Sequence, residues 1–509
     1  MACRVRVRYG GRVYSGEARC GARLSEAVAG VLGWFILPCG GRGLCGSCRV
    51  RVLGGELSPP TRAEERLGLG EGWRLACQAR VLGDVEVEVS PVAERLSVYG
   101  VEPPVAGAEP LCRGVAAAVD VGSSKIAAVL VDADSGRNLA AGFAVNPQAA
   151  WGLDVVSRIS RIMREEGLLG RMSAATMRAV EGLLRRLSGE AGAGRPGCAV
   201  FTGNAVALPI AFGLDPSPLG GYPYENPLSE GLSVRGEAWA GWAEVLPAVG
   251  GYVGSDAATA AVAALLHGFR GGVMVDVGIN TEAAYLSGEP LFTSAPAGPA
   301  IEGGELSCGA TALGGGAVRA VYDGSGFRFY PPGSEGRGLS GSALVSLLAS
   351  LVEHGLVDPG GRILRADGAE GGVAYIELAP GLRLTQLDVR EFQKAKAAIA
   401  TAVLMLAERA SSRPRGLVLA GSLGSGLDVE AAYRIGLFPR LGWAYQYGNL
   451  ALVGAKMYLV SEEARVLHGR LLGSARLVEA MGSREYLERW MGCLPLKPCA
   501  GLLDEAHVG

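Results

Sequence analysis

Ala118-Val119-Asp120-Val121-Gly122-Ser123-Ser124-Lys125 closes an apolar run that begins at Val115, and Met274-Val275-Asp276-Val277-Gly278-Ile279-Asn280-Thr281 repeats the pattern roughly 150 residues later. In each, a buried strand delivers an aspartate to its end. A glycine turn then lets backbone N–H groups approach phosphate oxygens. The aspartate suits Mg2+, an ion that keeps several waters and takes one or two carboxylates. Ser123, Ser124, Asn280 and Thr281 add hydroxyl and amide donors. A third element, Val418-Leu-Ala420-Gly421-Ser-Leu-Gly424-Ser-Gly426, opens a strand end into glycines against which a nucleotide's flat face can lie. One Asp-x-Gly turn is often only a turn. Two of them plus the third, in order, point to nucleotide binding, and the P-loop pattern G-x4-G-K-[ST] is absent.

Outward from these turns, apolar β-branched runs ending in glycine turns alternate with helical segments, the pattern of an α/β domain. Val115–Gly122, Val273–Gly278 and Leu417–Gly421 are the clearest units, and the likeness of the first two predicts two related halves. Residues 92–113 hold Pro103-Pro104, Gly107 and Pro110 without periodicity and read as a linker. Residues 1–91 form a short α+β pattern. Cys3–Tyr9 and Arg12–Tyr14 alternate around Gly10-Gly11 as a hairpin, and Leu24–Leu32 has helical spacing with Ser25 near its start. Cys48–Leu53 and Val85–Val89 return to alternation, so a small sheet crossed by one helix is expected.

A length of 509 residues suggests about three domains. With 49% apolar residues a sizeable core can be buried, and a net charge of −2 argues against nucleic acid or a basic membrane-facing patch. The most apolar stretch, near 237–269, is broken by Glu244 and Asp256, short of the ~20 apolar residues a membrane span needs. The N-terminal Met1-Ala-Cys-Arg-Val-Arg-Val-Arg lacks a signal peptide's apolar core. A cytoplasmic protein is expected, with neither nucleic acid nor membrane as partner. In that reducing compartment the 11 cysteines are expected to be thiols, and a tight cluster of them to hold metal.

That cluster is Cys39-Gly-Gly-Arg-Gly-Leu-Cys45-Gly-Ser-Cys48, with Cys77 following in Leu75-Ala76-Cys77-Gln78. Four thiolates suit a [2Fe–2S] cluster, and three ligands in one loop with a distant fourth is close to the plant-type C-x4-C-x2-C…C spacing. Gly40, Gly41, Gly43 and Gly46 let the loop wrap around inorganic sulfides and aim N–H groups at them, which also tunes the potential. Structural zinc is the alternative, but it usually takes two C-x2-C knuckles and only one is present. Residues 1–91 resemble [2Fe–2S] ferredoxins, and the extra residue between the first two cysteines is a variant seen in adrenodoxin-like members. Cys308, Cys493 and Cys499 have no metal-like partners nearby and read as core or surface thiols.

The two Asp-Gly turns and the glycine-rich third, in that order, resemble the superfamily of actin, sugar kinases and the large heat-shock ATPases, in which two halves clamp ATP. The likeness implies a first phosphate loop of Asp120, Gly122, Ser123 and Ser124. It implies a second of Asp276, Gly278 and Asn280 with Thr281 beside it, and an adenosine loop from Gly421 through Gly424 to Gly426. A ferredoxin joined to such an ATPase resembles one family, the reductive activators of corrinoid-dependent enzymes. The stretches that carry this begin with Asn146-Pro-Gln148, Gly152-Leu-Asp154-Val-Val-Ser157-Arg158-Ile159, Thr202-Gly203-Asn204 and Gly254-Ser255-Asp256. They continue with Ala297-Gly298-Pro299-Ala300-Ile301-Glu302-Gly303, Thr385-Gln386-Leu-Asp388-Val-Arg390-Glu391 running into Lys394-Ala-Lys396, and Gly448-Asn449.

The resemblance implies a multidomain chain. A β-grasp, α+β ferredoxin domain (1–91) and the linker (92–113) precede an actin-like, ribonuclease H-like α/β ATPase domain (114–509). Its two related lobes span approximately 114–265 and 266–460, with a C-terminal helical tail. It implies a [2Fe–2S] cluster on Cys39, Cys45, Cys48 and Cys77, and ATP with Mg2+ at Asp120 and Asp276, with Glu282 orienting a water and Lys396 reaching the nucleotide. The implied partners are a corrinoid protein or corrinoid-dependent methyltransferase and an external electron donor. The implied activity is ATP-dependent passage of one electron to an inactive Co(II) corrinoid, regenerating Co(I). That product demands a potential below the roughly −400 mV of plant-type clusters, and each 59 mV of mismatch costs about tenfold. Closure of a nucleotide cleft would supply the difference. The alternative is a nucleotide-binding redox sensor or electron-transfer scaffold with weak or no ATPase activity, and a small-molecule kinase with an accessory ferredoxin ranks below it.

Several of these stretches have plainer readings. Thr385-x-x-Asp388 is a helix-start capping box, and Asp154 with Arg158 matches a surface pair worth at most ~0.5 kcal/mol. Pro299 and its glycines shape a turn, Lys396 is as readily solvated, and Glu282 suits a salt bridge. The chain also departs from the family. Asp120-Val-Gly-Ser-Ser replaces Asp-x-Gly-Thr-Thr, and Ile279-Asn280-Thr281-Glu282 replaces Thr-Asn-Gly-Glu, a lost glycine that bears on γ-phosphate approach and hydrolysis. The linker is short for the family. No D-x-H-x-x-G motif exists and the four histidines (267, 354, 468 and 507) are isolated, so no corrinoid is expected on a histidine of this chain.

Overall fold

The computed structural model describes residues 2–9, 11–32, 35, 43, 48–66, 69, 71–89, 109–152, 154–235, 239–287, 289–310, 316–331, 334, 336–478 and 483–499. Cys39, Cys45 and most of the expected linker lie outside these residues.

β1 (Ala2–Tyr9) and β2 (Arg12–Arg19) form the expected hairpin, with Tyr9 opposite Arg12. Alternation puts Cys3, Val5 and Val7 inside and the intervening arginines outside. The helix Leu24–Leu32 lays Leu24, Ala27, Val28 and Leu32 on the same core. β3 (Arg49–Leu57), β4 (Trp73–Leu75) and β5 (Val81–Glu88) complete a sheet of order β2-β1-β5-β3-β4, with β5 parallel to β1. β3 outruns its alternating stretch because register shifts at Gly54 and Gly55 carry its pairing with β5 onward to Leu57. Val318 and Tyr330, from far along the chain, pack against this domain's core.

The remaining chain builds two six-stranded sheets. β6 (Val115–Val121), β7 (Lys125–Asp132), β8 (Arg137–Val145), β9 (Cys198–Gly203), β10 (Leu232–Arg235) and β11 (Trp242–Val245) take the order β10-β11-β9-β6-β7-β8. The second sheet begins with β12 (Val273–Asp276), β13 (Asn280–Tyr285) and β14 (Leu291–Pro296). A hairpin of β15 (Arg319–Tyr322) and β16 (Phe327–Tyr330) intervenes, then a small sheet of β17 (Gly368–Glu370), β18 (Val373–Ala379) and β19 (Leu382–Thr385). β20 (Gly416–Ala420), β21 (Trp443–Gln446) and β22 (Arg476–Leu477) give the second sheet its order β21-β20-β12-β13-β14-β22. In both sheets an antiparallel meander is extended, from its first strand, by two parallel strands: β8-β7-β6-β9-β11 matches β14-β13-β12-β20-β21. The two related halves are real.

These strands read as continuous apolar runs because both faces are covered. On β6, Ala117, Val119 and Val121 enter one core and Ala116 and Ala118 another; on β12, Val273 and Val275 part from Met274 in the same way. The facing sides of the two sheets are covered by a crossed pair of helices. Ser255–Leu266 joins the second sheet's core, while Leu450–Val460 serves both, placing Leu450, Ala451, Val453 and Met457 in the second sheet's core and Leu452, Ala455, Leu459 and Val460 in the first's. They meet at Gly454, where a Cβ would come within 1.9 Å of the Thr259 carbonyl oxygen.

The expectation of cysteines without disulfides does not hold. Cys3–Cys20, Cys112–Cys198 and Cys493–Cys499 are bonded, with Cα separations of 5.3, 6.2 and 5.0 Å. Strand pairing causes the first: β2 returns beside β1 and brings Cys20 back to Cys3. Reasoning from compartment alone could not see this proximity. Among the described residues no helix is long and apolar enough to cross a membrane.

Candidate nucleotide cleft and cluster site

β6 and β12 end at one cleft between the two halves. Asp120, Gly122, Ser123, Ser124 and Lys125 line it from the first half, and Asp276, Gly278, Asn280, Glu282 and Gly421 from the second. The enclosed part of the space is about 140 Å3, smaller than a full small-ligand pocket, and it opens to solvent between the two halves. Asn449 caps the helix Leu450–Val460 through its Oδ1, while its Nδ2 donates to Asp120 Oδ2 at 2.6 Å, joining the halves. Gly421, at φ +77°, abuts Asp276; a Cβ there would lie 2.3 Å from Asp276 Oδ1. Only glycine fits.

Two further carboxylates complete the lining. Asp256 comes from the first turn of the helix Ser255–Leu266, whose start is fitted to the end of β9: Ser255 Oγ accepts from Gly203 N at 3.0 Å and hydrogen-bonds Thr202 Oγ1 at 3.2 Å. Asn204 enters beside it, its N–H donating to the Val121 carbonyl. Glu302 comes from the short helical turn Pro299–Glu302, held to the second loop where Gly298 N donates to Ile279 O at 2.9 Å. Five acids thus share the lining with Lys125, whose ammonium is opposed by Glu302. Burial, with Asn449 opposing, raises Asp120 to about 6. Burial and then the charges of Asp120 and Glu302 raise Asp276 to about 7. Asp256, Glu282 and Glu302 are raised first by burial, and burial lowers Lys125. Charge repulsion among buried carboxylates is the condition a divalent cation relieves.

In the N-terminal domain, Cys48 precedes β3 and Cys77 follows β4, and the pairing of Arg49 with Leu75 brings them together. Both are buried, and Ala76 N donates to Cys48 O at 3.0 Å. The approach to Cys77 is anchored by Glu64, which accepts from Arg74 Nε at 2.8 Å, Thr61 N at 2.7 Å and Leu75 N at 2.8 Å. Burial alone would raise that carboxyl, but these hydrogen bonds hold it below its usual range. Gln78 Nε2 lies 3.4 Å from Cys77 Sγ. Gly43, at φ +71°, leaves no room for a side chain: a Cβ would sit 2.8 Å from the Gln78 side chain and 3.0 Å from Ala63 Cβ. Buried thiols beside a tight glycine turn and an amide N–H fit an iron–sulfur cluster.

Residues 15–82 match the model of the 2Fe-2S iron-sulfur cluster binding domain, 115–268 the middle region of RACo, and 271–499 its C-terminal domain, described as the ASKHA domain. The chain belongs to the family of reductive activators of corrinoid-dependent enzymes. It is 26% identical over 409 residues to the corrinoid activation enzyme RamQ of Eubacterium limosum, covering 74% of this chain and 69% of the relative. It is 28% identical over 229 residues to the [Co(II) methylated amine-specific corrinoid protein] reductase of Methanosarcina barkeri, covering 38% of this chain and 39% of that one. The solved structure of a reductive activator for corrinoid, iron-sulfur protein superposes with a TM-score of 0.67 at 20% identity, over 99% of this chain and 100% of that one. Family membership and fold agree.

Within this activator-family fold most of the residues expected at the cleft line it, and four, Thr281, Gly424, Gly426 and Lys396, do not. Thr281, which stands where the family's glycine is expected, is buried behind its loop, its Oγ1 donating to Gly278 O at 2.9 Å and accepting from Gly278 N at 3.3 Å. The substitution braces the loop and leaves the lining to Gly278, Ile279 and Asn280. Gly424 lies behind Gly421, its carbonyl bound by Gln446 Nε2 at 2.9 Å. Lys396 is a correction: its ammonium is fully buried and donates to the carbonyls of Cys493 at 2.5 Å and Pro495 at 2.7 Å, fastening the C-terminal segment to the helix Gln386–Arg409. Glu282 is not in a salt bridge among the described residues; Asn280 Nδ2 donates to it at 2.5 Å. Thr385 and Asp388 do form a capping box. Lys125, Asn204, Asp256, Glu302 and Asn449 are the lining residues that motif reading quoted without assigning a role. Each sits at an element's end, the one signal that could have marked it.

Proposed function

We propose that this protein reactivates corrinoid proteins: it takes an electron from an external donor and, using Mg-ATP, delivers it to an inactive Co(II) corrinoid, yielding Co(I). The observation that carries the proposal is one chain holding both a ferredoxin-type cysteine site at Cys48 and Cys77 and a two-lobed cleft where Asp120 and Asp276 converge. The names of its relatives support the substrate class. Cys39 and Cys45 complete the ligand set with Cys48 and Cys77, and a bound [2Fe–2S] cluster supplies one-electron chemistry.

In the cleft, Asp120 and Asp276 would hold Mg2+, the loops at Gly122–Ser124 and Gly278–Asn280 would meet the phosphates, and Gly421 would face the nucleoside. Glu282, raised by burial and held by Asn280 Nδ2, would orient the attacking water. Because the cleft is walled by both halves, a nucleotide that contacts both favours closure, and its differential affinity for the closed form is the drive available. Purified protein is expected to hydrolyse ATP faster when an oxidised corrinoid protein is added. A rate indifferent to that partner would favour the sensor or scaffold reading, and phosphate appearing on an added sugar or acid would favour a kinase.

A further inference from the structure

The first phosphate loop is held at every carbonyl by one downstream segment. Asn146 Nδ2 donates to Gly122 O at 2.7 Å, and Asn146 N donates to Ser124 O at 3.0 Å. The carbonyl between them, Ser123 O, accepts from Arg158 Nη2 at 2.7 Å. Arg158 is fully buried, and its Nε and Nη1 reach Gly152 O at 2.9 Å and Gln148 Oε1 at 3.2 Å. Gln148 is itself fixed by donating to Ala207 O and Thr176 Oγ1. Asp154 caps Ser157 N and still acts on Arg158 through its charge, but the expected surface pair is instead a buried cation whose hydrogen bonds, among the described residues, go to neutral oxygens. Only a planar guanidinium presents donors in three directions to three such acceptors.

With its carbonyls engaged, the loop has its N–H groups left for a ligand: among the described residues none of the amides of Gly122, Ser123 and Ser124 donates to another protein atom. A buried positive charge behind three available N–H groups is an anion site built from the rear. We infer that Arg158, with Asn146, is the positioning residue of the first loop, setting its backbone to receive the nucleotide's phosphates. This rests on the nucleotide reading of the cleft. It asks nothing of the nucleoside end of the ligand.

The test is calorimetric titration of the full-length protein and its Arg158→Lys and Asn146→Ser variants with Mg-ATP, Mg-ADP and adenosine, alongside thermal unfolding. Lysine keeps the charge but not the fork, while serine keeps a capping oxygen but is too short to reach Gly122 O. R158K is expected to bind Mg-ATP and Mg-ADP roughly 10- to 100-fold more weakly, the cost of disturbing charged hydrogen bonds. Adenosine affinity should stay within about twofold, and N146S should show the same pattern more weakly. Should R158K fail to fold, N146S decides the matter alone. Folded variants with unchanged Mg-ATP affinity, or with equal losses for adenosine, overturn the inference. Wild-type protein that binds no Mg-ATP overturns the nucleotide reading beneath it.

Discussion

Asp120 and Asp276 carry the clearest consequence at the scale of single residues. Both carboxyls are raised in the folded protein, to about 6 and about 7, against about 3.9 for an unhindered aspartate. The folded state therefore binds protons that the unfolded state has released, and stability present at low pH is lost as pH rises through these values. Without nucleotide or Mg2+, the melting temperature should fall between about pH 4 and pH 7 and level off above; Mg-ATP should remove most of that slope. A melting temperature that climbs across that window without ligand would contradict the crowding of acids. Asp276→Asn should raise the unliganded melting temperature at pH 7.5 while lowering ATP-dependent turnover at least ~100-fold, the scale of losing one preorganised charge partner. In the ferredoxin domain, Gln78 offers its amide to Cys77 Sγ. A hydrogen bond of ~1 kcal/mol that favours the more negative reduced state corresponds to about 40 mV for one electron. Gln78→Leu should lower the midpoint potential by roughly that amount in an optically monitored redox titration. An unchanged potential would mean the amide points elsewhere once the cluster is bound.

Among the elements, the helices Ser255–Leu266 and Leu450–Val460 are the ones packed against each other between the two sheets. Gly454 lies against the Thr259 carbonyl, so Gly454→Ala forces the helices apart and should cost about 1–3 kcal/mol in denaturant unfolding. The Cys112–Cys198 bond ties the segment entering β6 to the start of β9 across a separation of 86 residues. Closing a loop of that size is worth roughly 4 kcal/mol, so Cys112→Ser should lower the unfolding midpoint under oxidising conditions and match the reduced wild type. Equal midpoints would show that the pair does not form in solution. The strand-and-turn units were legible in the sequence because strand, acid and glycine are contiguous and each is dictated locally. The crossing was not, since close approach of Gly454 to Thr259 depends on the packing of segments separated by nearly two hundred positions. Lys396 was misread for a related reason. Helical periodicity says which residues share a face but not whether that face meets a cleft or a returning tail, and here the tail's carbonyls take the ammonium.

At the scale of the whole molecule, the duplication of β8-β7-β6-β9-β11 as β14-β13-β12-β20-β21 brings two aspartates to one cleft. Asp256 and Glu302 could be assigned to the cleft only once both halves were in place, because each enters from an element whose own sequence is explained by packing. The ferredoxin core takes in Val318 of the second half, with Tyr330 packed against it, so the redox domain rests on the part of the molecule that bears β12 and the second glycine turn. Electron delivery and nucleotide occupancy are thereby offered a common scaffold. The most direct test is an anaerobic titration of the reduced protein into a Co(II) corrinoid protein, followed by visible absorption with and without Mg-ATP. Co(I) should accumulate only with Mg-ATP, and far less in the Asp276→Asn variant. Equal accumulation without nucleotide, or none with it, would contradict the account.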